Sequence, residues 1–403
     1  MLVGFSDELW SGVAVVAAPS LEQEQALDHR GYTLFVFVLP LLLSAALDAV
    51  LSLLCDWLPR QRLRALGLAG LSLGLVLVAL APTASGLSLG LALAGAASGL
   101  ACSAAQADLI GRHDGNGEIA LTRWAFFGGL GDLASPLVVA SVFGLGGSYR
   151  GALVVIAALS AVQALAALRA PRTAPALAVP QSSEPEAAEP ELPVWRALRA
   201  AAGQRRLWLW LIGSGLCTLL DEIVLAFASL RLSLDLGASD AVAASSGVVL
   251  SLGATLGAAL TERLLPSVPA RRLLLMSALA CLCALAWVVA APSAGWLTPA
   301  LFLLGVSAAP HYPLLEARAY AELPGRPGLV RALAQVMVLI EVLAPAALGA
   351  IAQALGLAAA LGALVLQPLA ILGLLWITRQ PRSPRHGSET ARQTPERQPE
   401  SSP

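Results

Sequence analysis

Charge is scarce in this chain: Asp, Glu, Lys and Arg together make up 13% of its 403 residues, and every basic residue is arginine because lysine is missing altogether. A soluble domain carries roughly a quarter charged residues, so water is not the main solvent here. The net charge of −1 offers no bulk attraction to nucleic acid. The five cysteines (Cys55, Cys102, Cys217, Cys281 and Cys283) lie in or at the ends of apolar runs, without histidines at zinc-ligand spacing. They read as small packing residues, and no metal site is expected. No Walker-type phosphate loop and no Ser-His-Asp constellation occurs, which disfavours ATP-driven transport and hydrolysis; neither enzyme activity nor a cofactor is expected. The apolar N-terminus has no basic flank, so it does not read as a signal peptide.

What is abundant is apolar: 57% of residues are hydrophobic and the mean hydropathy is +0.74. The apolar runs are about 20 residues long, which matches the roughly 30 Å hydrocarbon slab of a bilayer. They recur along the whole chain, which a single large soluble core does not explain. The expected fold class is an all-α integral membrane protein of about twelve spans. The spans are read at approximately 2–19, 31–55, 65–81, 87–109, 119–145, 150–168, 207–230, 240–261, 273–291, 296–318, 329–354 and 356–377. Trp208, Trp210, Trp296 and Trp376 fall near span ends and are expected to act as interfacial anchors.

Arginine placement sets the orientation. The connections after spans 2, 4, 6, 8 and 10, together with the tail, collect 22 of the 25 arginines; the opposite set holds only Arg30, Arg150 and Arg231. This alternation follows the positive-inside rule for an even number of crossings and puts the central loop and the C-terminus in the cytoplasm. Residues 171–193, around Arg172, read as a disordered linker, and 194–206 as a basic amphipathic helix on the inner leaflet. The tail from Arg379 on reads as disordered. The expected domains are therefore a first six-helix bundle over 1–170, a linker with its helix over 171–206, a second bundle over 207–378 and a tail over 379–403. The excess of Ala, Leu and Arg points to a GC-rich, prokaryotic genome, and the cytoplasmic (inner) membrane is the expected location.

The two halves match after a shift of about 200 residues. Asp7-Glu8 in span 1 meets Asp221-Glu222 in span 7. Asp56, followed by Arg60 and Arg62, meets Glu262, followed by Arg271 and Arg272. Arg123 with Asp132 and Pro136 in span 5 meets Arg331 with Glu341 and Pro345 in span 11. Both halves then share one orientation, as parallel transporter repeats do. On these residues the chain resembles the major facilitator superfamily over nearly its full length. The superfamily's loop signature after span 2 is degraded: Ser52, Asp56, Trp57, Pro59, Arg60 and Arg62 keep its acid and bases and lose both glycines. Tyr320-Ala-Glu322-Leu-Pro324-Gly-Arg326 looks like its counterpart in the second half. The resemblance implies that spans 1, 4, 7 and 10 line a central cavity, that 2, 5, 8 and 11 flank it, and that 3, 6, 9 and 12 face lipid.

Intramembrane charge costs a few kcal/mol on insertion scales, and here it avoids spans 3, 6, 8, 9 and 12. That distribution fits a water-filled path between the halves. Candidates for substrate binding or proton coupling are Asp7, Glu8, Asp132, Asp221, Glu222, His311 and Glu341. A plain interhelical bond is the competing reading for each, above all for His311 in Pro310-His311-Tyr312-Pro313. Pro136 and Pro345 each free the carbonyl of the acid four residues earlier. Asp56, Arg60, Arg62, Asp108, Arg123, Glu316 and Arg331 are candidates for a cytoplasmic gate, with Arg123 meeting Asp108 and Arg331 meeting Glu316; ordinary inner-surface ion pairs are the alternative. Asp48 has no counterpart in span 8. The glycine pairs Gly70/Gly74, Gly95/Gly99 and Gly253/Gly257 read as helix packing. Asp221 follows Arg206 by several helical turns whereas Asp7 stands close to Met1, so a start upstream of this Met1 is expected.

The function these readings imply is secondary active transport of a small organic solute by alternating access, with proton coupling. A gradient-independent facilitator and a transport-silent membrane scaffold or sensor are the alternatives. The expected partners are a small-molecule substrate, protons and membrane lipid, with no nucleic acid, and the expected state is a monomer. Substrate and direction are not legible.

Overall fold

The computed structural model describes residues 1–16, 21, 23–25, 27, 29–113, 116–169 and 194–378. The linker expected at 171–193 and the tail from Arg379 lie outside the described residues. Everything regular among the described residues is helical: α1 (Leu2–Val16), α2 (Leu39–Ser52), α3 (Arg60–Leu80), α4 (Ala84–Arg112), α5 (Gly117–Gly144), α6 (Tyr149–Arg169), α7 (Val194–Ala202), α8 (Arg205–Gly215), α9 (Glu222–Leu234), α10 (Asp240–Leu264), α11 (Ala270–Ala290), α12 (Ala294–Ala308), α13 (His311–Glu322), α14 (Pro327–Ala334), α15 (Val338–Leu355), α16 (Leu357–Ala363) and α17 (Leu366–Ile377). Shorter turns extend some of them. A π-helical stretch, Thr33–Val38, precedes α2 and a 3₁₀ turn, Leu53–Asp56, follows it; Leu216–Leu220 and Gln335–Met337 join α8 to α9 and α14 to α15.

Nine continuous helical stretches among the described residues are long and apolar enough to cross a membrane. They correspond to expected spans 2 to 7, 9, 11 and 12. Span 1 is described as 15 residues of helix and span 8 as the 25 residues of α10. Span 10 is interrupted at Ala309-Pro310, where α12 stops and α13 begins, because proline carries no N–H to continue the ladder.

Small residues decide which helices pack closely. An added Cβ at Gly70 or Gly74 on α3 would fall within 3 Å of Ala97 or Ala94 on α4. Gly253 and Gly257 on α10 stand equally tight against Phe302 and Val306 of α12. These pairs pack as expected. Helix α4 is buried almost throughout its inner half, Ala92 to Ala107. By contrast α3, α6, α11 and α17 present leucines and valines outward, among them Leu73, Val162, Leu279 and Leu369. An apolar outer surface of this kind suits acyl chains and not water.

The interfacial tryptophans divide. Trp296 and Trp376 are exposed, whereas Trp210 is buried and donates from Nε1 to Glu322 Oε1 at 3.0 Å. A nearby carboxylate holds Trp210 inward, so it is not a lipid anchor. Helix α7 docks by Ala197 and Ala201 and turns Trp195, Arg196 and Arg199 outward.

Candidate functional site

Residues before 170 and after 193, the first and second halves, enclose a cavity of about 320 Å³ between them. Its wall comes from α1, α2 and α4 on one side and from α8, α13, α14 and α15 with the turns beside them, including Asp221 ahead of α9, on the other. Among the described residues five carboxylates line it, Asp7, Asp48, Asp221, Glu316 and Glu341, against a single cation, Arg331.

Each is placed by a local feature. Asp221 occupies the break between the 3₁₀ turn Leu216–Leu220 and α9, with φ −109° and ψ −98° outside the helical region. A residue at such a break points its side chain away from the regular helical ladder. The Leu220 N–H beside the break donates instead to Gln367 Oε1 at 3.1 Å, which satisfies a buried donor. Asp7 accepts from Ser98 Oγ at 2.6 Å and from Trp10 Nε1 at 3.4 Å. Asp48 fits because α4 has glycine opposite it: a Cβ on Gly99 would lie 2.5 Å from the Asp48 carboxyl. Gly99 is therefore a seat for a carboxylate, where the sequence suggested only helix packing.

Asp48 Oδ2 accepts from Arg331 Nε at 3.4 Å and from Gln335 Nε2, and Arg331 Nη1 lies 3.9 Å from Glu316 Oε1. On the same helix as Glu316, Tyr320 donates to Gln106 Oε1 at 3.2 Å. Polar contacts thus join α2 and α4 of the first half to α13 and α14 of the second. The expected Arg331–Glu316 contact is present, and Asp48 has its partner across the cavity.

Glu8 and Asp132 are not among the groups lining the cavity. They lie where α1 packs on α5, and Gly128 and Gly131 of α5 leave room for the Glu8 side chain. Glu222 is exposed next to Asp221 and also lies off the wall. His311 is fully buried, with Nδ1 3.1 Å from Gln367 Nε2. Because Gln367 Oε1 takes the Leu220 N–H, its amide donates to Nδ1, which assigns the proton of neutral His311 to Nε2. His311 thus ties α13 to α17 and to the broken span 7, away from the cavity.

At the Arg-rich end, Asp56 accepts from the backbone N–H groups of Gly328 and Leu329, at 2.8 and 3.2 Å, at the start of α14. Negative charge is favoured at a helix N-terminus. Arg123 does not meet Asp108. It pairs with Glu262 of the second half at 2.5 Å, since Asp108 is engaged by Arg64 at 3.4 Å and Arg112 at 2.8 Å within the first half. Arg60 Nη1 donates to Ala107 O at 2.9 Å, again within the first half, and Arg62 is exposed. Arg318 pairs with Glu118 across the halves at 2.8 Å. Sequence reasoning missed Glu262, Glu118, Arg318, Gln335 and Gln367 as contributors. Only Glu262 carried a signal, its repeat match to Asp56.

The description Major Facilitator Superfamily belongs to the family profile that matches residues 1–340. The chain belongs to the major facilitator superfamily. Curated protein sequences give no match. Among solved structures, FucP, a transporter of this superfamily crystallised in the outward conformation, superposes with a TM-score of 0.73 at 17% identity, covering 94% of this chain and 97% of that one. A point variant of FucP, the E. coli fucose:proton symporter, gives 0.75 at 15% identity, covering 94% and 98%. At such identities the likeness speaks for the fold. This major facilitator protein is a multi-pass membrane transporter of all-α architecture.

Proposed function

We propose that the protein is a proton-coupled secondary transporter that moves a small organic solute through the central cavity by alternating access. The observation that carries this reading is a polar cavity bounded by both halves of the chain, with unpaired acids in its wall. Spans 1 to 6 and 7 to 12 act as two parallel bundles in a monomer of the cytoplasmic membrane, with linker and tail inside. Asp7 and Asp221, at matching places in the repeat, take up and release the coupling protons, and Glu8 and Asp132 stand behind them. The Arg-rich end, cytoplasmic by the positive-inside rule, is bridged by Asp56, Arg123, Arg318 and Arg331. The chain is accordingly read as outward-facing, the state named for the FucP structure.

Reconstituted protein separates coupling from passage. Asp7→Asn and Asp221→Asn are expected to abolish uphill accumulation driven by a proton gradient while retaining counterflow of labelled solute. Unchanged uphill transport in both variants removes these residues as coupling sites. Unaltered protein that accumulates nothing uphill yet supports counterflow is a facilitator.

A further inference from the structure

We propose that the cavity binds a small organic amine in its protonated, ammonium form; this names the solute class of the site assigned above and rests on that reading. The charge of the wall gives the first argument. Arg331 is its only cation among the described residues, and Asp48 and Glu316 already hold it. Asp7, Asp221 and Glu341 form no ion pair among the described residues. A carboxylate or phosphate ester entering here finds no free cation and meets three acids, an arrangement that repels it strongly once water is excluded. A neutral solute leaves those acids to be desolvated without compensation when the site closes. An ammonium offsets them.

Orphaned acceptors give the second argument, independent of net charge. Asp48 Oδ1 and Glu316 Oε2 are buried without a donor, in residues only 3% and 5% exposed that line the cavity. Buried carboxylate oxygens are ordinarily satisfied, and what is missing here is donors. A protonated primary amine brings three N–H groups and no acceptor. Two further features agree. The 3₁₀ turn Leu216–Leu220 ends beside Asp221 at the cavity, and the carboxyl end of a helical segment, with its outward carbonyls, favours cations. Tyr312, 37% exposed, stands in the same wall, and an aromatic ring is a group that attracts cations. A volume of about 320 Å³ lies at the small end of small-molecule sites.

The test uses full-length protein in detergent, with thermal unfolding and calorimetric titration. The probes are phenethylamine, tyramine and cyclohexylmethylamine, the alcohols in which hydroxyl replaces each amine, and the carboxylates of the same skeletons. At least one amine is expected to stabilise saturably, while its alcohol and carboxylate do not. Asp221→Asn and Glu341→Gln should each weaken that amine about tenfold, ~1.4 kcal/mol. Asp48→Asn, which loosens the hold on Arg331, should admit the carboxylates. Binding of none of the amines, equal binding of the alcohols, or carboxylate binding to the unaltered protein would overturn the proposal. Counterflow with the bound probe separates the two readings. An amine that binds and is not carried leaves the amine site standing and sinks transport; a neutral or anionic solute that is carried while no amine binds does the reverse.

Discussion

Arginine does different work at the two ends of this molecule. At the Arg-rich end it crosses between the halves, Arg123 to Glu262, Arg318 to Glu118 and Arg331 to Asp48. At the opposite end it stays home. Arg150 donates to the carbonyls of Ala79 and Ala81, where α3 ends, and Arg231 donates to those of Val288 and Ala291, where α11 ends. Cations at helix C-termini satisfy the last free carbonyls and oppose the helix dipole. Both arginines therefore stiffen their own half, and they do so at corresponding places in the repeat. Every hydrogen bond or ion pair between described residues of the two halves lies from the Arg-rich end to mid-depth. Under the proposed alternating access, closure on one side rests on separable contacts and rigidity on the other on internal caps.

The sharpest way to break this contrast is Arg331→Met. It leaves Asp48 and Glu316 buried beside the cavity with no cation, and breaking a buried ionic group by removing one partner costs about 3–5 kcal/mol. Thermal unfolding in detergent should show a large loss, and adding Asp48→Asn should recover part of it. Equal stability of the single variant and the unaltered protein would mean that the network is not an energetic link. Gly99→Ala comes next, because its Cβ would press on the Asp48 carboxyl; overpacking of this kind costs about 1–3 kcal/mol. Gly349→Ala on α15 is the control: nothing lies within 4 Å of its added Cβ, so stability should hold or rise slightly.

How legible was this in the sequence? The spans were, since a 20-residue apolar run has few other fates, and so was the repeat that pairs Asp56 with Glu262. The partners were not. Hydropathy places Arg123 at a depth but does not say which way round the helix it points, and Asp108, the partner expected for it, is engaged by Arg64 and Arg112. The seat that Gly99 makes for Asp48 was hidden for the same reason: in a chain with 36 glycines, four-residue spacing says that backbones can approach, not what fills the gap. Breaks were half legible. Pro310 marked the interruption of span 10, whereas the break at Asp221 has no proline and follows from tertiary contacts such as Gln367 to Leu220.

Asp56→Asn tests the bridged end without disturbing the cavity wall. An amide still offers one acceptor oxygen to the start of α14 but removes the charge that favours that helix terminus, a loss of about 1 kcal/mol or less. The change is small in stability and should be larger in conformation, since the proposed mechanism keeps this contact only while the Arg-rich end is closed. In vesicles of defined sidedness, a single cysteine placed at Ser214 on the cavity wall, with the native cysteines replaced, should label faster from the Arg-rich side when Asp56 is Asn. Labelling that is unchanged, or faster from the other side, would show that Asp56 does not hold this end shut.

The Arg123–Glu262 pair should matter least. Arg123 is 42% exposed and Glu262 24%, so water screens the charge, and exposed pairs contribute about 0.2–1 kcal/mol in double-mutant cycles. Its use is as a test of geometry and not of energy. Arg123→Glu alone sets two acids face to face across the halves, and Glu262→Arg alone sets two arginines there. The exchange of both restores an opposite pair at the same distance. If the halves meet as described, each single variant should shift cavity labelling toward the Arg-rich side and the double variant should return it to the original rate. Independent, additive effects of the two substitutions would place these side chains apart, and with them the contact of α5 and α10 on which the closed end depends.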